Sequence, residues 1–97
     1  MFNWFSSGES QRFGKELAMF ILAELSGSAD RRADKFTAKA EKVLVNADKR
    51  VRDFKTQERM NFYKKAKLAN AFLWTLKDNG CSEDYANKLT DWLSVRL

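Results

Sequence analysis

The residues best suited to recognition chemistry lie between Tyr63 and Lys77, where two aromatic rings alternate with polar and cationic side chains. At 100° per residue they share one side of a helix, which we call the aromatic stripe: Tyr63, Lys67, Asn70, Trp74 and Lys77. Rings interleaved with cations bind single-stranded nucleic acid, and Tyr and Trp also anchor protein interfaces. The remaining interpretation is packing, in which both rings fill gaps between neighbouring helices. The sequence leaves these three interpretations open.

A second candidate surface is a row of cations that begins upstream. Its members, the basic stripe, are Arg31, Lys35, Lys39, Lys42 and Lys49. The first four step by four, four and three residues, so they are like-charge neighbours on a helix, and each such pair costs an isolated helix roughly 0.2 to 0.5 kcal/mol. Phosphates or an acidic protein surface would compensate that repulsion. The alternative is a solvated face that keeps the protein soluble.

Metal and catalytic chemistry find little support in the residue types. The chain has no histidine and a single cysteine, Cys81, which excludes a histidine base and a structural zinc site. Cys81 is expected to be a small buried residue. Its glycines form no phosphate-binding loop, and no carboxylate lies near a nucleophile or a metal-ligand set. We therefore predict a protein that is not an enzyme and needs no cofactor.

The composition indicates an all-α protein. Proline is absent and only four glycines occur among 97 residues, of which 44% are apolar, so one helical domain over residues 1–97 is expected. The net charge of +5 is compatible with an anionic partner. Its longest apolar run, Leu17 to Ala23, is too short to span a bilayer, and we expect a cytoplasmic protein.

Start and stop signals divide the chain into helices. Ser6 with Glu9 matches a capping box, and Gly27 is a stop signal. Asn79-Gly80 is a second stop, and Ser82 is placed to cap the last helix. The predicted helices are Ser7 to Leu25, Asp30 to Phe54, Gln57 to Asp78 and Ser82 to Arg96.

The long interval from Asp30 to Asp78 contains no glycine or proline. One straight helix of that length would be roughly 73 Å long, more than twice the width of a compact domain. Either the helix breaks near Lys55 to Glu58, with Thr56 capping a new helix, or it protrudes and dimerises. We favour the break, because the residues there present no apolar side chain to a partner.

Periodicity predicts which faces are buried. A seven-residue repeat occupies Asp34 to Ala40, Glu41 to Ala47 and Asp48 to Phe54. Its apolar positions are Ala33, Phe36, Ala40, Val43, Leu44, Ala47, Val51 and Phe54. The third helix is predicted to bury Phe62, Ala66, Ala69, Leu73 and Leu76, and the fourth Tyr85, Leu89, Trp92, Leu93 and Leu97. An aromatic tail, residues 1–6, is expected to fold back onto the helices rather than to anchor in a membrane.

These patterns together predict an all-α fold: a small bundle of three to four helices whose second helix carries a three-unit seven-residue repeat. Function is predicted as a non-catalytic interaction module that binds a protein partner through the basic and aromatic stripes. One alternative is a nucleic-acid-binding protein that uses the same residues. The other is a structural or homodimerising domain.

Overall fold

The computed structural model describes residues 8–25 and 38–97, and this part of the chain forms four α-helices and no strand. They are α1 (Gly8–Glu24), α2 (Ala38–Gln57), α3 (Phe62–Asp78) and α4 (Glu83–Arg96). The all-α prediction is confirmed. Several predictions fall outside the described residues: the Ser6 cap, the Gly27 stop, the aromatic tail and the second helix before Ala38.

Helix α1 packs closely against α3, because a glycine lies where the two backbones meet. A Cβ atom on Gly14 would lie 2.5 Å from the carbonyl oxygen of Leu68 and 3.2 Å from the Cβ of Ala71. Residues one turn away on α1, Ser10 and Ala18, are also small and fully buried. Only small side chains permit this spacing between helix axes. We call this contact the α1–α3 seam.

Another side of α1, about 100° around the helix from Gly14, contacts α2 through aromatic rings. Phe13 stacks on Phe54 with ring centroids 4.3 Å apart and an interplanar angle of 9°. Two turns further along α1 and one turn back on α2, the guanidinium of Arg50 lies 4.0 Å from the ring centroid of Phe20. These contacts orient the repeat-bearing helix, whose predicted inner residues Ala40, Val43, Leu44, Ala47 and Val51 are buried, while Phe54 is half-buried.

A glycine ends α3, as predicted. Gly80 has a φ of +89°, a left-handed conformation that favours glycine. The amide of Cys81 donates to the carbonyl of Leu76, and the amide of Gly80 donates to that of Lys77, which is the Schellman pattern. Helix α4 then begins with Ser82 as its cap, whose hydroxyl accepts from the amide of Tyr85 at 3.3 Å. Cys81 is buried here.

The long interval does break, but three residues later than predicted. Helix α2 continues to Gln57, past the expected end at Phe54. Thr56 caps nothing, since its hydroxyl donates to the carbonyl of Asp53 one turn back. The cap of α3 is Asn61, whose side-chain oxygen accepts from the amide of Lys64 at 2.8 Å. Asn61 is the cap because its side chain accepts a hydrogen bond from a backbone amide in the first turn of α3, whereas the hydroxyl of Thr56 donates to a carbonyl of α2.

The predicted buried face of α3 is displaced around the helix, and of its five residues Leu76 alone is fully buried. The buried residues are Lys64, Leu68, Phe72 and Leu76, four apart, whereas Phe62 is 88% exposed and Ala66 is also exposed. Ala69 and Leu73 are half-buried. The physical reason is the α1–α3 seam, because Gly14 sits against the side of α3 that carries Leu68 and Phe72.

Helix α4 buries the face that its periodicity predicts. Tyr85, Leu89 and Leu93 are fully buried, and Trp92 and Leu97 pack against the core with partial exposure. Helix α4 contacts α3, and α3 in turn contacts α1. The core is therefore shared by all four described helices, and each helix leaves an outer face in contact with solvent.

Candidate interaction surfaces

The two rings of the aromatic stripe are exposed. Trp74 exposes 53% of its surface and Tyr63 exposes 38%. Asn70 between them is exposed as well, and Lys67 is half-buried. Neither ring is buried among the described residues, which disfavours the packing interpretation. The outer face of α3 presents both rings to solvent.

Each ring of the stripe has a lysine over one of its faces. The ammonium nitrogen of Lys77 lies 4.9 Å from the centroid of the Trp74 ring, and that of Lys67 lies 5.6 Å from the centroid of Tyr63. Such cation–π contacts contribute roughly 0.5 to 1 kcal/mol at exposed sites. A nucleic-acid base could stack on these ring faces only after the lysine moved away. Each lysine and its ring therefore form one surface with both apolar and cationic character.

Helix α3 exposes a third aromatic residue, Phe62, which helical spacing predicts to be buried and which lies beside the aromatic stripe, about 100° around the helix from Tyr63. Phe62 is the first residue of α3, next to the cap Asn61, and it is almost fully solvent-exposed. A signal for this existed in the sequence. Leu68, Phe72 and Leu76 recur every fourth residue and are larger than the alanines of the predicted face. A buried face centred on Phe72 leaves Phe62 about 80° away, at the edge of that face and in the first turn of the helix, where least of the neighbouring helices covers it. We call the aromatic stripe together with Phe62 the α3 aromatic face.

The α3 aromatic face carries positive charge only. Helix α3 contains four lysines and one acid, Asp78, at its last position. The charge of Lys64 is paired with Glu58 at 3.2 Å and turned inward, whereas Lys67 and Lys77 border the exposed rings. Large exposed apolar side chains with a rim of one charge sign are typical of interaction sites.

The described part of the basic stripe lies on the outer side of α2. Lys39, Lys42 and Lys49 are exposed, and none of the ion pairs among the described residues involves them. Arg31 and Lys35 lie outside the described residues. Helices α2 and α3 both contact α1, and they have little contact with each other. The two stripes are thus on different helices and do not form a single continuous row.

A groove of about 410 Å³ separates α2 from α4. Its lining residues are Glu41, Leu44, Val45, Asp48, Arg52, Trp92 and Arg96. Asp48 joins the two helices, with one oxygen 2.6 Å from Arg52 and the other 3.1 Å from Arg96. The Arg96 guanidinium also lies 4.4 Å from the centroid of Trp92. Acids and guanidinium groups balance in this groove, so it shows no preference for ligands of one charge. We call the contact between α2 and α4, which includes this groove and the Asp48–Arg96 pair, the α2–α4 seam.

Other kinds of site find no support in residues 8–25 and 38–97. No three side chains of metal-ligating type come together there. None of the helices in these ranges has both the length and the apolar character that a bilayer crossing requires. No known protein family, curated protein or solved structure matches this chain. The exposed surfaces themselves are therefore the basis for a functional hypothesis.

Proposed function

We propose that this protein is a non-catalytic helical interaction module that binds a protein partner. One observation carries the proposal: Phe62, Tyr63 and Trp74 are exposed along one helix that has lysines around them and no acid among them. Fully burying one large apolar side chain stabilises a protein by about 1.5 to 3 kcal/mol, and a ring left in water does not contribute this energy. A partner that covers the rings recovers this energy on binding.

The partner is expected to present an apolar ridge flanked by acids. The apolar ridge would cover the rings of Phe62 and Trp74, since aromatic anchors dominate binding energy when they enter well-packed pockets. Carboxylates would pair with Lys67 and Lys77, whose ammonium groups are already held beside the rings. On α2, the lysines of the basic stripe would accelerate encounter with an acidic partner through long-range attraction. An amphipathic acidic helix or strand meets these requirements.

A protein is favoured over nucleic acid because of the cation–π pairs. Single-strand binding relies on bases that stack on open aromatic faces. Here Lys67 and Lys77 each lie over one face of Tyr63 and of Trp74, so a base that stacked on those two faces would displace both lysines. The lysines alone would still attract phosphates, so nucleic acid remains the rival that the experiment must exclude.

Photo-crosslinking in the native host tests the proposal. A photoreactive amino acid replaces Asn70, an exposed residue between the two rings, and a control chain carries it at Met19, an exposed apolar residue of α1. We expect position 70 to crosslink to one protein through a segment rich in acids and apolar residues, with and without nuclease. Position 19 should not give that product. Crosslinks to nucleic acid, or a crosslinked segment without acids, would contradict the proposal.

Purified components then test the assignment of residues. With the crosslinked segment as a synthetic peptide, Phe62→Ala and Trp74→Ala should each weaken binding at least tenfold in calorimetry, a typical effect for an anchor residue. Val95→Ala is the matched control, because Val95 is 83% exposed on α4. Unchanged affinity for both aromatic variants would refute the role of the α3 aromatic face. Binding of an unstructured thymidine oligonucleotide that falls steeply with salt would favour the nucleic-acid alternative.

A further inference from the structure

We infer that this chain has a second folded state, a dimer in which α2 and α3 are one continuous helix and each copy supplies α3 and α4 to the other. The connection between α2 and α3 is the hinge of this exchange. Only Glu58 to Asn61 separate these helices. In the described residues no residue other than glycine has a positive φ, so this turn needs no left-handed residue. Each of its four residues can also adopt helical angles without steric cost.

The turn between α3 and α4 shows which kind of residue prevents two helices from joining into one. Between α3 and α4, Gly80 has a φ of +89°, which a continuing helix could not use. No glycine or proline occurs between Glu58 and Asn61. The amide of Glu58 still donates to the carbonyl of Phe54 at 2.8 Å, as in a helix. Residues with ordinary helix propensity thus join α2 to α3, and their sequence does not require a bend.

Two polar side chains hold the bend in the single chain. The side-chain oxygen of Asn61 accepts from the amide of Lys64 at 2.8 Å. The ammonium of Lys64, which is 8% exposed, donates to the carbonyl of Arg59 at 3.3 Å and pairs with Glu58 at 3.2 Å. A straight helix would lose these contacts and satisfy the same backbone groups by helical hydrogen bonds. The two states therefore exchange one set of hydrogen bonds for another.

Straightening forces α3 away from its own α1. A continuous helix from Ala38 to Asp78 would be about 60 Å long at 1.5 Å per residue, longer than the 45 Å greatest extent of the molecule. The apolar side chains Leu68 and Phe72 would then lack the surface around Gly14. A second copy offers the same surface, and reciprocal exchange under a twofold axis restores every interhelical contact twice. The monomer and the dimer then contain the same interhelical contacts and differ only in the conformation of the hinge. Protein concentration determines which of the two is populated.

Variants of the hinge shift this equilibrium in opposite directions. Asn61→Ala removes the cap that only the bent state uses, and Arg59→Gly disfavours only the straight helix. When the wild-type protein is refolded from urea at a protein concentration near its solubility limit, we expect light scattering to detect a dimer. Asn61→Ala should raise the dimerisation constant on the order of tenfold, and Arg59→Gly should lower it by a similar factor. No dimer of either wild type or Asn61→Ala would overturn the inference.

A charge-reversal mixture tests the exchange itself. Asp48 on α2 pairs with Arg96 on α4, and in the exchanged dimer this pair joins two chains. Chains with Asp48→Lys and chains with Arg96→Glu each repel themselves, but together they restore two opposite-charge pairs. Co-refolding them should give heterodimers well above the statistical half, as native mass spectrometry measures.

The matched control reverses a pair that lies within one helix. Glu9 and Arg12 pair at 2.7 Å in α1, so Glu9→Lys and Arg12→Glu chains should mix at the statistical half. If the Asp48 and Arg96 variants also gave the statistical half, the dimer would form through an outer surface and the inference would fail. Trp74→Ala separates this dimer from the proposed partner surface, because it should leave the dimer unchanged and weaken only partner binding.

Discussion

The α1–α3 seam and the α2–α4 seam hold their helices in different ways. At the α1–α3 seam Gly14 brings two backbones together, and Leu68 and Phe72 are fully buried. The α2–α4 seam is held by two polar contacts to Arg96: Asp48 pairs with its guanidinium, and the ammonium of Lys55 donates to its carbonyl at 2.7 Å. It leaves a groove of about 410 Å³. The first seam excludes water, and the second is open to it.

The difference indicates which contacts decide the fold. Close packing recovers dispersion and hydrophobic energy over the whole seam, and it fixes which side of α3 is buried. Exposed ion pairs contribute little, because water screens the charges and the side chains lose entropy. The α1–α3 seam therefore sets the register that leaves the α3 aromatic face in solvent.

Truncating the buried ring of α3 should have the largest effect. Phe72→Ala removes a fully buried side chain and should lower the free energy of unfolding by about 3 to 5 kcal/mol in urea titration. Phe62→Ala is the matched control, since it removes the same ring from the same helix at an exposed position. It should change stability by less than about 0.5 kcal/mol. Comparable losses for both variants would show that the buried face of α3 is different.

Adding one methyl group at the α1–α3 seam should have an intermediate effect. In Gly14→Ala the new Cβ overlaps the carbonyl oxygen of Leu68, and such overpacking costs about 1 to 3 kcal/mol. Alanine regains about 1 kcal/mol of helix propensity, so a net loss of up to about 2 kcal/mol is expected. Gly8→Ala, which meets nothing within 4 Å, should not lose stability. A Gly14→Ala protein more stable than wild type would exclude close contact at this seam.

Removing the charge at the α2–α4 seam should have the smallest effect. Asp48→Asn loses its ion pairs with Arg52 and Arg96, which are largely and partly exposed, and should cost less than about 1 kcal/mol. The difference from wild type should shrink further in 1 M salt, where the screening length is about 3 Å. A loss as large as that of Phe72→Ala, or one insensitive to salt, would place this seam among the contacts that determine the fold.

Much of the helical framework was predictable because its signals are local. The turn at Gly80, the cap at Ser82 and the inner face of the described part of the repeat are where their residue types place them. The α2–α3 break was predicted from length, but its cap was assigned to Thr56 instead of Asn61. Thr and Asn are both acceptable caps, so residue type alone could not decide between them.

The candidate surface was predictable only in part. The rings Tyr63 and Trp74 and their lysines share a face by helical spacing alone, and that placement needs no tertiary information. Whether the face is buried depends on where α1 packs, which helical spacing does not specify. Phe62 was assigned to the core for this reason, although it is the most exposed of the three aromatic residues.

The sequence by itself determined that the described chain is helical, where its glycine turn lies, and that α3 carries rings and lysines on one side. The absence of proline and the scarcity of glycine keep the chain helical, Gly80 ends α3, and helical spacing aligns the rings with the lysines. Each of these effects depends only on residues that are close in sequence. Only the tertiary structure decided which side of α3 is buried and where the long interval bends. Both depend on contact between residues distant in sequence: Gly14 admits the backbone of α3, and that contact turns Phe62 and Trp74 toward solvent.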